Sequence, residues 1–374
     1  MRGAIVFNGN IQAEADFVER AGRSLLTSRH QVPSQQVLLV TAGWCHNEYH
    51  EGHIKEALYK VGVEPDFHQG HDRRVQNLAL YHRYQEFLEQ RPGLSEAWQE
   101  CEQLVEKARH HYLLKNSFFI ASLRRSLAEI RDYLPHESLA AILENSVTFG
   151  EGRGRVADYL GQDLRDTLRL LLRNDDTMVQ LLADLDDQFT VRTGLLYDPL
   201  WLAYHEDLSR RILEANSIFL FGGNLGVLHR CLNFFRLRLP LLEALRRGTT
   251  FYTVSAGSLV CCERIIIYDD FEHEREFQLY DRGFGLVREL QIFPHCMDRI
   301  QTDDRDNLTY LSQRFRHRVC VGLNQESFLR VEFEPKVQAV SLGTRDGVYV
   351  FDRSGKKHRY DAGRQIPLKS PTNA

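Results

Sequence analysis

The sequence predicts an α/β protein in which a mostly parallel sheet lies between helical layers and is interrupted by a large all-helical insertion. Residues 1–65 and 216–364 alternate between short apolar runs and amphipathic segments. This alternation is typical of parallel strands that helices cover on both faces. Residues 66–215 instead repeat apolar side chains at the spacing of a helix face. Residues 365–374 are expected to form a flexible tail.

The first two predicted strands are the apolar runs Ala4–Phe7 and Val37–Val40. Each run ends in small or polar residues. Segments with helical periodicity follow, from Phe17 to Leu25 and from Tyr49 to Val61. A strand followed by a helix is the unit from which parallel sheets are built.

The insertion shows its clearest helical periodicity between Trp98 and Ile130, and further helices are predicted over 156–172 and 178–189. Amphipathic helices of this kind can form a lid over an active site, the surface of a homodimer, or a module that binds a partner. The sequence leaves these three interpretations open.

Four more apolar runs follow the insertion, and each ends in residues that suit a ligand site. The runs end in Gly-Gly-Asn (222–224), Ser-Ala-Gly-Ser (255–258), Pro-His (294–295) and Gly-Leu-Asn (322–324). In α/β sheets, ligands bind beyond the carboxyl ends of the strands. Residues 328–360 alternate with a period of two, which predicts antiparallel strands at the end of the sheet.

The composition excludes several classes of protein. The 374 residues carry a formal net charge of -4, whereas a nucleic-acid binder usually has a basic excess. No apolar run reaches the roughly 18 residues of a membrane helix, and the first ten residues do not have the pattern of a signal peptide. The seven cysteines, of which Cys261 and Cys262 are adjacent and no two form a CxxC pair, fit free thiols in a reducing cytoplasm. We therefore expect a cytoplasmic protein with neither a nucleic-acid nor a membrane partner.

The strongest candidate for chemistry is Ser255, which follows the predicted strand 249–254 and precedes an apolar helical run. A sharp turn from strand to helix raises a serine hydroxyl above the sheet, and it needs small residues because the helix starts close to the strand. The same turn points amide N–H groups at the substrate, where they can hold an oxyanion. Ser255 is therefore a candidate nucleophile.

Other strand ends supply candidate partners for this serine. A serine nucleophile needs a base, and the base needs an acid that fixes its tautomer. His295 follows a predicted strand and can act as the base, and either Asp269 or Asp270 can orient it. The amides of Gly223 and Ala256 are candidates for holding the oxyanion.

The four strand-end motifs, in this order, resemble those of the peptidase E and cyanophycinase family of serine peptidases. The resemblance covers residues 1–62 and 217–352. It implies the class I glutamine amidotransferase-like fold, a flavodoxin-like three-layer sandwich. It also implies a catalytic Asp fifteen residues after the serine, which is Asp270, and substrate contacts from Asn224 and Arg305.

The resemblance implies a serine-dependent hydrolase of peptide or isopeptide bonds, similar to an aspartyl dipeptidase or a cyanophycinase. Its substrate is expected to be a short peptide or an acidic small molecule, and no metal or organic cofactor is expected. Thr253 departs from the family, which usually has Gly two residues before the serine. Two interpretations are open: this β-branched residue crowds the turn, or it only changes the packing slightly. The alternative is a catalytically inactive scaffold that binds a ligand or partner through its helical insertion.

Two other polar clusters have simpler interpretations. His46, His50 and His53 are of a metal-ligating type, but we interpret them as a polar pocket wall because no zinc-site spacing is evident. The basic residues Arg314, Arg316, His317 and Arg318 are interpreted as protein surface.

Overall fold

The computed structural model describes residues 2–11, 15–19, 36–144, 153–268, 277–342 and 347–368. These residues form an α/β structure with a large mixed sheet, a smaller second sheet and a long helical region. The strands are β1 Ala4–Asn8, β2 Val37–Val40, β3 Phe67–His68, β4 His71–Asp72, β5 Val75–Asn77, β6 Ser217–Leu220, β7 Thr250–Val254, β8 Arg264–Tyr268, β9 Phe277–Arg282, β10 Leu290–Pro294, β11 Val319–Leu323, β12 Phe328–Glu332, β13 Gln338–Ser341, β14 Val348–Phe351, β15 Lys357–Tyr360 and β16 Gln365–Ile366. The helices are α1 Gly52–Lys60, α2 Leu80–Gln90, α3 Pro92–Tyr133, α4 Leu139–Leu143, α5 Arg153–Thr193, α6 Pro199–Glu214, α7 Leu225–Phe234, α8 Arg238–Arg247, α9 Ala256–Cys261, α10 Cys296–Arg299 and α11 Arg305–Arg314.

The main sheet has eight strands in the order β16-β13-β12-β1-β7-β6-β2-β5. Strands β1, β7, β6, β2 and β5 are parallel, and β12, β13 and β16 extend the β1 edge in antiparallel pairs. Every residue of β1, β2, β6 and β7 is buried, which is why these strands read as continuous apolar runs. The predicted α/β class is therefore confirmed.

A second sheet departs from the single sheet expected from the sequence. It has the order β10-β11-β14-β15, with β10 and β11 parallel and the other pairs antiparallel. The predicted histidine therefore follows a strand of this second sheet, while the predicted serine follows a strand of the main sheet. A strand pattern records which residues are buried but not which strand lies beside it, so sequence periodicity does not distinguish one sheet from two.

The helical insertion is built on two long helices, α3 with 42 residues and α5 with 41. They run antiparallel, because contacts join Cys101 to Leu185, Tyr112 to Asp175 and Ser126 to Asp163. The periodicity predicted from Trp98 to Ile130 lies within α3, whereas the two helices predicted over 156–172 and 178–189 are one continuous helix, α5. Within the described residues, none of the helices combines the length and the hydropathy needed to cross a bilayer.

Short strands lie where the sequence predicted only helix or tail. β5 lies in the segment predicted as all-helical, yet it pairs with β2 and forms one edge of the main sheet. β16 lies in the segment predicted as a tail, yet it pairs with β13. Such strands have only two or three residues, too few for a periodic pattern. Residues 369–374 of that tail lie outside the described residues.

Candidate active site

Ser255 occupies the turn between β7 and α9 in a sparsely populated backbone conformation, with φ 50° and ψ -111°. Its backbone amide donates a hydrogen bond to the Asn8 carbonyl at the end of β1. Such strain costs about 1–3 kcal/mol and persists only where the surroundings fix the conformation. A Cβ on Gly257 would lie 2.0 Å from the Leu220 carbonyl oxygen, so α9 starts directly against β6. The small residues of the motif therefore have the steric role expected of them.

Thr253 is completely buried beneath this turn and forms part of a hydroxyl network. Its Oγ1 lies 2.9 Å from Ser258 Oγ, which donates to the Asn8 carbonyl at 3.0 Å. The carbonyl of Asn8 thus holds both the serine amide and the start of α9. Of the two interpretations of Thr253, the structure therefore fits a slightly different packing, because its hydroxyl bonds to Ser258 beneath the turn. In the sequence, the only sign of this contact is that Thr253 and Ser258 are five positions apart. Such a spacing is not specific for a hydrogen bond.

We expect Thr253→Val to lower the free energy of unfolding by about 1 kcal/mol, because it keeps the side-chain shape but removes a buried hydrogen bond. Urea denaturation measures the change. Thr177→Val is the matched control, since the hydroxyl of Thr177 bonds to the Arg173 carbonyl on an exposed face of α5. Equal stabilities of the two variants would contradict a structural role of the Thr253 hydroxyl.

His295 lies beside Ser255, with its Nε2 2.8 Å from Ser255 Oγ. The distance is that of a hydrogen bond, and the serine hydroxyl is the donor when Nε2 is unprotonated. His295 has a left-handed backbone conformation, with φ 54°, at the start of α10. Asn324 secures this turn, because its Oδ1 accepts hydrogen bonds from the Met297 amide and from Cys296 Sγ, both at 2.9 Å. The sequence pointed to Asn324 only as part of a motif and gave no sign of this contact.

Burial lowers the pKa of His295 below the ordinary 6.5, and the nearby carboxylate of Asp298 partly opposes this shift. A base acts in its neutral form, so activity falls as the pH falls through this pKa. We therefore expect the acid limb of the kcat/KM profile to have its midpoint below pH 6.5. Asp298→Asn removes the opposing charge and should move this midpoint further down. A midpoint above 6.5, or an upward shift in the variant, would contradict the assignment of His295 as the base.

The third member of the predicted triad lies outside the described residues, which stop at 268 and resume at 277. This applies to both Asp269 and Asp270. Among the residues that the structure describes, none accepts a hydrogen bond from Nδ1 of His295. The carboxylate that orients this histidine is thus still a prediction.

The Gly-Gly-Asn loop between β6 and α7 lies against the serine turn. A Cβ on Gly222 would be 3.1 Å from the Cβ of Ser255 and 3.3 Å from the Ala256 amide nitrogen. Gly223 has φ 104°, and a Cβ there would lie 2.5 Å from the Gly43 carbonyl oxygen. Within the described part of the chain, the amides of Gly223 and Ala256 donate no hydrogen bond. Both N–H groups therefore have free hydrogen-bonding capacity next to Ser255.

A loop that the sequence did not single out for this purpose supports the Gly-Gly-Asn segment. Gly43 accepts a hydrogen bond from the Asn224 amide at 2.8 Å, and the Trp44 ring lies against Gly223. Trp44 also stacks on His53, with ring centroids 5.9 Å apart. In the described ranges, no group of three or more His, Cys, Asp or Glu residues is placed to hold a metal ion.

The two predicted substrate contacts have different surroundings. Asn224 caps α7, because its Oδ1 accepts from the Val227 amide at 3.0 Å. Arg305 is exposed at the start of α11, and its Nη2 donates to the Ser354 carbonyl at 3.4 Å. Asn224 thus belongs to the loop that contacts Ser255. Arg305 instead contacts the turn between β14 and β15.

Comparison with known proteins supports a peptidase. Residues 193–337 match the family model of peptidase family S51, and this segment contains all four strand-end motifs. The resemblance to peptidase E-like enzymes is therefore confirmed in this segment. A solved structure similar to this chain is that of a peptidase from an acI-B1 actinobacterium, with 12% sequence identity and a TM-score of 0.47 over 98% of this chain and 97% of that one. No curated protein matches the chain.

Proposed function

We propose that this chain, whose residues 193–337 match the family S51 peptidases, hydrolyses amide bonds with Ser255 as nucleophile and His295 as base. The observation that carries the proposal is the 2.8 Å contact between Ser255 Oγ and His295 Nε2. Serine and histidine come from different sheets and are forty residues apart in sequence. Their contact, together with a strained serine at a helix start, is what nucleophilic catalysis requires.

The proposed reaction follows from these positions. Ser255 Oγ attacks the amide carbonyl while its proton passes to Nε2 of His295. The N–H groups of Gly223 and Ala256 stabilise the oxyanion that forms. His295 then gives the proton to the leaving amine, and water hydrolyses the acyl-enzyme by the same route in reverse order. Asp270 is proposed to hold the histidine in the tautomer that this cycle needs.

The proposed substrate is a short peptide or isopeptide with an acidic first residue, bound through Asn224 and Arg305. This part rests on the resemblance to peptidase E-like enzymes. The inactive-scaffold alternative rested partly on Thr253, which the structure accommodates in a hydroxyl network. The alternative is therefore not favoured.

A peptide panel tests the proposal. The dipeptides Asp-Leu, Asn-Leu and Leu-Leu, and an isopeptide of Asp, are incubated with the protein, and released amines are quantified. We expect hydrolysis of the Asp compounds in preference to Leu-Leu. Hydrolysis of none of them, together with no labelling of Ser255 by a fluorophosphonate, would contradict the proposed function.

A further inference from the structure

A cavity of about 430 Å³ lies between the helical insertion and the α/β core. It is bounded by α3 and α5 on one side and by α7 and β9 on the other. Along α7 it extends from Gly226 to Asn233, and it continues to Arg238. Its walls are partly apolar, with Trp98, Val105 and Leu182 from the insertion. The insertion therefore shapes a space for a ligand that the core alone would leave open to solvent.

One end of the cavity adjoins the candidate active site. A Cβ on Gly226 would lie 2.8 Å from Tyr280 Oη and 3.4 Å from Asn224 Oδ1. Asn224 belongs to the loop whose Gly222 contacts Ser255. The Tyr280 ring is held by the Arg109 guanidinium of α3, which lies 3.9 Å from the ring centroid. The Gly-Gly-Asn loop thus connects the serine turn to the residues that line the cavity.

Most charges that line the cavity are neutralised within it. Arg230 pairs with Glu102 at 2.5 Å, and Arg109 pairs with Asp281 at 3.3 Å. Arg236 also forms an ion pair, with Asp186. These three ion pairs therefore contribute no net charge to the cavity.

The cavity lining also holds Arg238, Arg282 and Asp187, none of which forms an ion pair among the described residues, so one positive charge is in excess among these unpaired groups. Within the described ranges, neither Arg238 nor Arg282 has a carboxylate oxygen within 4.0 Å. The nearby carboxylate of Glu263 is bonded to Arg318 at 2.6 Å. Burial lowers the pKa of Arg238, the charges of Arg282 and Arg288 lower it further, and the carboxylate of Glu263 partly opposes this shift. An anionic group near Arg238 and Arg282 would be stabilised.

We propose that this cavity is a substrate subsite that binds a carboxylate at least about three residues from the scissile bond, because the length of the cavity along α7 adds to the distance between Ser255 and Gly226. The stretch of α7 from Gly226 to Asn233 is about 10 Å long at 1.5 Å per residue. An extended peptide covers that distance with about three residues. The carboxylate is either the C-terminus of a short peptide or an acidic side chain of a longer one. This inference rests on the proposed function, because it takes Ser255 as the point of cleavage.

Binding to the Ser255→Ala protein tests the subsite without requiring turnover. Calorimetry compares Asp-Ala-Ala-Ala with a free carboxylate, the same peptide as its amide, and Asp-Ala-Ala-Glu as its amide, with the dipeptide Asp-Ala as the short reference. A charged hydrogen bond at this site should make at least one carboxylate tetrapeptide bind about tenfold more tightly than the neutral amide. If Asp-Ala-Ala-Ala gives the gain, the subsite binds the C-terminal carboxylate of a short peptide. If the amide of Asp-Ala-Ala-Glu gives it, the subsite binds an acidic side chain.

Arg282→Ala should remove this gain, because the proposed subsite binds the carboxylate through this guanidinium. Arg282 is exposed, so the substitution should not disturb packing. Arg359→Ala is the matched control, an arginine on β15 that pairs with Asp361 far along the chain from the cavity.

Equal affinities of carboxylate and amide peptides, or a gain that persists in Arg282→Ala, would overturn the proposed subsite. If wild-type protein still hydrolyses Asp-Leu in that case, the proposed function stands and only the subsite fails. Loss of both hydrolysis and binding would overturn both.

Discussion

Replacing Ser255 by alanine is expected to lower kcat/KM for the best peptide substrate by at least about 10⁴-fold. The hydroxyl oxygen that lies 2.8 Å from His295 Nε2 is then absent, and no acyl-enzyme can form. The variant should fold like the wild type, because a methyl group fits where the half-buried hydroxyl was. Steady-state kinetics with the preferred dipeptide measures the effect, and a fluorophosphonate followed by mass spectrometry shows whether the label is lost.

Ser117→Ala serves as the control for this experiment. Ser117 is exposed on α3, and among the described residues its Oγ bonds to the backbone carbonyl of Leu114 alone. It should keep wild-type kinetics and labelling. If the Ser255→Ala protein retains more than a tenth of the wild-type kcat/KM, Ser255 is not the nucleophile, and the assignment of the site to this turn fails.

The sequence allowed the serine turn to be predicted because its constraints are local. The apolar strand, the serine and the small residues that follow lie within ten consecutive positions. The small residues are needed because α9 starts close to β6, as the contact of Gly257 with Leu220 shows. His295 could be chosen because it follows an apolar run, even though that strand proved to lie in the second sheet. The resemblance to peptidase E-like enzymes is what indicated that Ser255 and His295 belong to one site.

Other features depend on contacts between distant segments, and no local pattern records them. Asn8 is 247 residues from Ser255, yet its carbonyl accepts the hydrogen bond from the serine amide. Asn324 fixes the turn of His295 from another strand. The charged residues around Arg314 in the sequence predict a surface position. In the structure its side chain is completely buried, so that interpretation is wrong.

The buried position of Arg314 explains how the helical insertion is attached to the core. Arg314 on α11 bonds to both oxygens of Asp175 on α5, each at 2.7 Å. It also donates to the Tyr112 hydroxyl on α3 at 2.8 Å, and that hydroxyl donates to Asp175. Burial acts to lower the pKa of Arg314, but the Asp175 carboxylate more than offsets this and raises it. Both long helices are thus joined to α11 by one charged network.

We expect Asp175→Asn to reduce the free energy of unfolding by about 3–5 kcal/mol, because it leaves the buried guanidinium of Arg314 without its counter-charge. The next residue provides the control. Asp176 pairs with Arg264 at 2.5 Å, but its side chain is 69% exposed, so Asp176→Asn should cost no more than about 1 kcal/mol. Urea denaturation of the two variants measures the difference.

The same pair of variants separates a structural network from a catalytic one. Asp175 has no contact with Ser255 or His295 in the described residues, so Asp175→Asn should keep the pH dependence of kcat/KM while losing stability. Replacing Asp175 by leucine and Arg314 by methionine together should recover much of the lost stability, since apolar side chains of similar size can replace a buried ion pair. Equal stability of the Asp175→Asn and Asp176→Asn proteins would show that this network does not hold the insertion to the core.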